Sequence, residues 1–216
     1  MPNLTVKVIG LDKVVKNLER NAAKAETVIK RTVSDMRNRV PGYVAAEVSA
    51  DYNIKKGQVM PAKKLKNGKW KKTAGSVRVK GETLETVTVV YEGEMLTPVR
   101  FDMNPKKPKK AKAAKKKRKH RRNPTPKPPA EPITAEIKRG QRKKLHPSAF
   151  LGKNNGGGYI PFRRTGKSRY PIESIKTISV PQMVEGKEVY PRIQEKINDQ
   201  LQKRLDHHLK QYLEKN

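Results

Sequence analysis

The stretch KKPKKAKAAKKKRKHRRNPTPKPP, Lys106 to Pro129, denies this chain a continuous fold through its middle. From Lys106 to Arg122 it carries 12 Lys and Arg and no acidic residue. Charges of one sign at that density repel, and Pro105, Pro108, Pro124, Pro126, Pro128 and Pro129 deny its two ends both helix and strand ladder. Its centre, AKAAKKKRK, could turn helical only if a polyanion removed the repulsion. Residues 104–130 therefore read as a disordered or extended basic insertion within a single domain spanning residues 1–216. The fold has to come from the flanks.

The N-terminal flank opens with a strand-like LTVKVI. After Gly10, apolar residues at Leu11, Val14, Leu18, Ala22, Ala25, Ile29, Val33, Met36 and Val40 recur in three- and four-residue steps, the period of a long amphipathic helix. Pro41-Gly42 should end or kink it, with YVAAEV as a further helical piece. SVRVK and TVTVVYE alternate as strands and read as a hairpin around GETLE. Beyond the basic tract, ITAEIKR resumes a strand pattern, AFLG and YIPF flank KNNGGG as a second hairpin, and SIKTISV is the last strand candidate. Val189, Ile193, Ile197, Leu201, Leu205, Leu209 and Leu213 each stand four apart on a C-terminal helix. Because a helix has 3.6 residues per turn, that stripe slants; it can cover the protein's own sheet and still offer an edge to a neighbouring subunit. The expected class is α+β, with N- and C-terminal helices packed on a mainly antiparallel sheet.

The chain has 216 residues and a formal net charge of +31, and without Lys106–Arg122 it still carries +19. Basicity therefore extends over the whole surface, and a polyanion is the expected partner. The absence of cysteine excludes disulfides, thiolate zinc sites and cysteine nucleophiles. No run approaches the ~20 apolar residues of a membrane span, and MPNLTVKVIG lacks a signal-peptide core, so synthesis in the cytoplasm without a membrane partner is expected.

Three apparent chemical sites fail on spacing. Thr165-Gly166-Lys167-Ser168 has the tail of a phosphate-binding loop, but Pro161 stands where the pattern needs glycine, and Pro171 stands where the first turn of its helix should run. Asp102 with Glu136 and Lys138 could form a magnesium-dependent nuclease site, although the whole basic tract separates them; two surface residues on one strand face is the plainer account. His207 and His208 are adjacent on a helix, point about 100° apart and cannot share one metal as an i, i+4 pair can. His120 lies in the tract and His146 precedes a proline. No enzyme, cofactor or metal is expected.

The sharpest signal is thus Lys106, Lys107, Lys109, Lys110, Lys112, Lys115, Lys116, Lys117, Arg118, Lys119, Arg121 and Arg122 as a nucleic-acid-binding segment. Its lysines and arginines would neutralise phosphates without reading sequence. A solvated linker kept soluble by its charge is the alternative. Tyr52 and Trp70 make only a thin case for base stacking.

The run IPFRRTGKSRYPIESIKTISVPQMV, Ile160 to Val184, resembles the signature of the tailed-phage minor tail protein Z family, the tail completion proteins. Its core is Gly166-Lys167-Ser168-Arg169-Tyr170-Pro171-Ile172, a strand, and then Val180-Pro181. The opening GLDKVVKNLER and the helical C-terminus are similar too, so the likeness covers roughly the first 50 and last 70 residues. The resemblance implies a bacteriophage virion protein at the head-proximal end of the tail, made in the host cytoplasm, that completes the tail and enables head–tail joining. It also implies a homo-oligomeric ring, a hexamer by analogy with tail symmetry, and other neck and tail proteins as partners. The basic tract would then contact packaged DNA. Arg163, Arg164, Lys167, Arg169 and Tyr170 are expected to form a rigid turn making a subunit or neighbour contact, with Tyr170 buried. A free, sequence-nonspecific DNA- or RNA-binding protein of nucleoid- or ribosome-associated type is the competing reading.

Overall fold

A five-residue strand, β1 (Asn3–Lys7), begins the part of the chain that the computed structural model describes, which comprises residues 3–7, 22–63, 66–69, 73–74, 76–81, 87–108 and 132–213. Helix α1 (Ala22–Asp51) and the short α2 (Lys56–Val59) follow, then strands β2 (Ser76–Gly81) and β3 (Val87–Glu92). A 3-10 turn at Pro98–Arg100 leads into β4 (Asp102–Asn104), β5 (Thr134–Glu136) and β6 (Arg142–Lys144). Strands β7 (Phe150–Lys153), β8 (Tyr159–Arg164) and β9 (Ile172–Ser174) precede helices α3 (Val180–Val184) and α4 (Val189–Leu213). Helices stand toward both ends and, among the described residues, every strand pairing is antiparallel, which makes the class α+β.

The chain forms two compact units, Met1–Leu96 with Thr177–Asn216, and Thr97–Lys176. In the first, β3 is the middle strand of a sheet ordered β1-β3-β2, with Ser76 opposite Glu92 and Gly81 opposite Val87 in the expected hairpin. The residues of its turn, 82–86, lie outside the described residues. Helix α1 covers β2 and β3, and α4 lies along α1. Met36, Val40, Val44 and Val48 of α1 and Val189, Ile193, Ile197, Leu201 and Leu205 of α4 are all buried. Both stripes step by four, so side-chain ridges of the same pitch meet between the helices.

Pro41 does not end the helix. It sits buried within α1, which continues to Asp51. Proline in a helix interior loses one hydrogen bond and costs about 3 kcal/mol. Burial of Val40, Val44, Ala45 and Val48 on either side of it offsets that cost. The expected start of the helix at Leu11 lies outside the described residues.

The last strand also differs from expectation. Ile172–Ser174 forms β9, whereas Ser179 caps a helix: its hydroxyl accepts from Gln182 N while Gln182 Oε1 accepts from Ser179 N at 2.9 Å. SVPQ is thus a capping box with proline in the first helical turn, where the missing N–H is harmless. Between α3 and α4, a Cβ on Gly186 would meet Tyr52 Oη at 3.1 Å and Met183 O at 3.2 Å, so a side chain here would crowd this close turn.

The second unit holds two three-stranded sheets, β4-β5-β6 and β7-β8-β9. Met103, Ile133 and Ala135 form its buried centre, and Leu145, Ala149 and Leu151 pack against them. The AFLG/YIPF hairpin is present, with Phe150 opposite Phe162 and Lys153 opposite Tyr159.

Candidate functional site

The basic tract is the connection of a β-hairpin. Asn104 at the end of β4 stands opposite Thr134 at the start of β5, so everything from Pro105 to Ile133 leaves and returns at adjacent points. Thr134 Oγ1 donates to Asn104 O across that base. Lys106 and Lys107 are exposed at its start. Lys109, Lys110, Lys112, Lys115, Lys116, Lys117, Arg118, Lys119, Arg121 and Arg122 lie outside the described residues, as does the expectation that the tract is disordered or extended. Trp70 lies outside them as well.

The second candidate is the turn between β8 and β9. Arg164 pairs with Ile172 at the end of the ladder, and Thr165 closes the loop by donating from both N (3.3 Å) and Oγ1 (3.2 Å) to Pro171 O. The Tyr170–Pro171 peptide is cis. Arg163 reaches Glu173 across the pair at 3.2 Å, the guanidinium of Arg164 lies 5.6 Å from the Phe150 ring centroid, and that of Arg169 lies 5.7 Å from Tyr170. Beneath them, Phe162 stacks on Phe150 and fills the space over Gly152, where a Cβ would come within 2.8 Å of its ring. The turn thus carries all five residues the sequence singled out. Tyr170 is 63% exposed in the single chain, where a neighbour could cover it, while Tyr52, half of the thin case for base stacking, is only 6% exposed under the α3–α4 turn.

The remaining candidates resolve into structure. Asp102 and Glu136 do stand opposite each other in the β4–β5 register, despite the tract between them in sequence. Arg142 on β6 pairs with both carboxylates, and Glu136 Oε1 accepts from Gly140 N at 3.0 Å. A cation thus occupies the place between the carboxylates where a nuclease would hold magnesium. After Thr165–Ser168 the chain runs into β9, not a helix, as the spacing predicted. His208 faces Asp35 of α1 at 3.8 Å, too long for a hydrogen bond, and both its ring nitrogens are buried without a partner. Arg204 reaches the same carboxylate at 3.5 Å and Arg39 at 2.8 Å. Burial raises the Asp35 carboxyl, but these cations outweigh it and hold the group below its ordinary value. Among the described residues no three His, Asp or Glu side chains gather to hold a metal ion, and no helix is long and apolar enough to cross a membrane.

The family model described as prophage minor tail protein Z matches residues 8–215. The chain belongs to the minor tail protein Z family. The match takes in the middle of the chain, including the basic tract, which motif reading at the two ends had left unassigned. No curated protein and no solved structure matches. Minor tail protein Z is a structural protein of the phage tail, which makes the virion its setting and other tail proteins its surroundings, and the family is not one of enzymes. Within the signature that carried the resemblance, Ser179, Val180, Pro181 and Gln182 build a helix cap, whereas Arg163 to Tyr170 stay exposed.

Proposed function

We propose that this minor tail protein completes the tail at its head-proximal end and makes it competent to join a DNA-filled head. In this reading the copies form a ring, six by analogy with tail symmetry, and the segment Lys106–Arg122 of each contacts the end of the packaged genome. The observation that supports it is the β4–β5 hairpin: it anchors both ends of a segment with 12 cations side by side, so each copy presents that charge from one fixed point. A ring would repeat the display around a channel and multiply its potential. The exposed β8–β9 turn serves as a contact surface in the assembled particle.

Electron microscopy of particles from a phage lacking this gene tests the reading. Supplying the full chain in trans restores joined, infectious particles; without it, filled heads and unjoined tails accumulate. Supplying a chain without Lys106–Arg122 separates joining from any later action on DNA. Normal infectious particles without the gene would overturn the proposal and favour a free nucleic-acid-binding protein.

A further inference from the structure

The charge of this protein is concentrated in its second unit. Residues 97–176 hold 25 Lys and Arg against 4 Asp and Glu, whereas the first unit holds 26 against 16. Outside Lys106–Arg122 the second unit still has 13 cations for those 4 acids. Its three described carboxylates are already engaged internally, Asp102 and Glu136 by Arg142 and Glu173 by Arg163. Lys143, Lys144, Lys153, Arg164, Lys167 and Arg169 are exposed and have no ion pair among the described residues. The folded body is therefore an anion-seeking surface even without the tract.

Among the described residues, that charge coincides with an exposed aromatic ring only at the β8–β9 turn. Tyr170 is the most exposed large apolar side chain among the described residues, and Arg164, Lys167 and Arg169 share its loop. Arg164 and Arg169 each lie within cation–π range of a ring. The bonds from Thr165 to Pro171 O close the loop beneath them. A protein partner would call for a larger apolar patch, and here only Ile172 joins Tyr170. Cations for phosphates beside one ring for a base are what a single strand requires; a duplex keeps its bases stacked on one another.

We infer that the β8–β9 turn is a second nucleic-acid site, separate from the tract, in which Arg164, Lys167 and Arg169 hold the backbone of a single strand and Tyr170 stacks on an unpaired base. This rests on the reading of the turn as a contact surface and names its partner. It stands or falls in solution, independently of whether the protein completes tails.

The test uses the full chain with the 12 tract Lys and Arg changed to Gln, and fluorescence anisotropy of labelled single-stranded and duplex oligonucleotides across a salt series. Single-strand binding persists in that background. Adding R164Q/K167Q/R169Q weakens it and makes the slope of log K against log salt shallower by about 2, at roughly 0.7 per phosphate contact. Tyr170→Ala weakens single-strand binding by about 5- to 100-fold and leaves duplex binding nearly unchanged. R164K/R169K, which keeps the charge, retains the salt slope, a readout that misfolding would not preserve. Loss of all binding on neutralising the tract overturns the second site, and equal loss of single-strand and duplex binding in Tyr170→Ala overturns the stacking. Competition by polyglutamate as strong as by DNA would assign the turn to an acidic protein neighbour instead.

Discussion

Tyr170 is exposed and Tyr52 buried, and for Tyr52 the cause is local. Tyr52 follows α1 and lies under the α3–α4 turn, where Gly186 leaves just enough room for its hydroxyl. The glycine between two helices was the available signal, but only a fold tells what it approaches. Tyr91, next to the end of β3, is wholly buried, and its hydroxyl has no hydrogen-bond partner; burial alone pushes its pKa well above the ordinary tyrosine value. An orphaned buried hydroxyl costs about 1–3 kcal/mol, so Tyr91→Phe should raise the unfolding free energy by about 1 kcal/mol, read as a higher urea midpoint at unchanged slope. His208 gives a pH dependence. Burial lowers its pKa most, Asp35 opposes, and His207, Arg31 and Arg204 add to the lowering. The folded value therefore lies below that of the unfolded chain, and the unfolded chain binds the extra proton first as pH falls. This contribution is complete above about pH 6.5 and is lost as pH drops through the folded value. Thermal midpoints measured from about pH 7.5 to 5 should fall, and His208→Gln should flatten that fall; an unchanged profile would refute the assignment.

At the scale of elements, what the sequence revealed depended on length. The helices α1 and α4 were legible because each repeats its apolar stripe over many turns, and the two hairpins because alternation and Gly-rich turns agree. Pro41 left an end or a kink open, and the helix runs on through it because the buried residues around it outweigh one missing hydrogen bond. The last strand was misplaced because SIKTISV alternates like a strand, while β9 is three residues long and Ser179 already belongs to a helix cap. The pairing of β4 with β5 across the tract was not legible, since nothing in either three-residue strand specifies a partner so far away in the chain. The α1–α4 seam yields a quantitative test. Ile197 is fully buried near its middle, whereas Leu209 is only half-buried near its end. Ile197→Ala should cost about 2–5 kcal/mol through lost contacts and the cavity left behind, and Leu209→Ala distinctly less. Chemical denaturation of both variants checks the order, and equal losses would mean that the seam continues undiminished to the end of α4.

For the molecule as a whole, the sequence located the basic tract but not its setting: an insertion within an insertion. The tract joins β4 to β5, and the unit containing them, Thr97–Lys176, is itself inserted between β3 and α3. The points where the first unit gives way to the second are tied together. Thr177 donates from N (2.7 Å) and from Oγ1 (2.8 Å) to Leu96 O, and Leu96 N donates to Ile178 O at 3.2 Å. Two chain ends held that closely can be joined by a few residues, and loop-closure entropy favours the shorter connection. The stripe from Met36 to Val48, its counterpart on α4, and Val89 and Tyr91 beneath α1 all belong to the first unit. Removing residues 97–176 also removes 25 cations and only 4 acids, which relieves self-repulsion in what remains. A chain in which Gly-Ser-Gly replaces residues 97–176 should therefore keep its helical circular dichroism and unfold in one cooperative transition, with salt-dependent nucleic-acid binding sharply reduced. A chain that loses its helices would mean the first unit needs the second in order to fold, and one that keeps full binding would place the polyanion surface on the wrong unit.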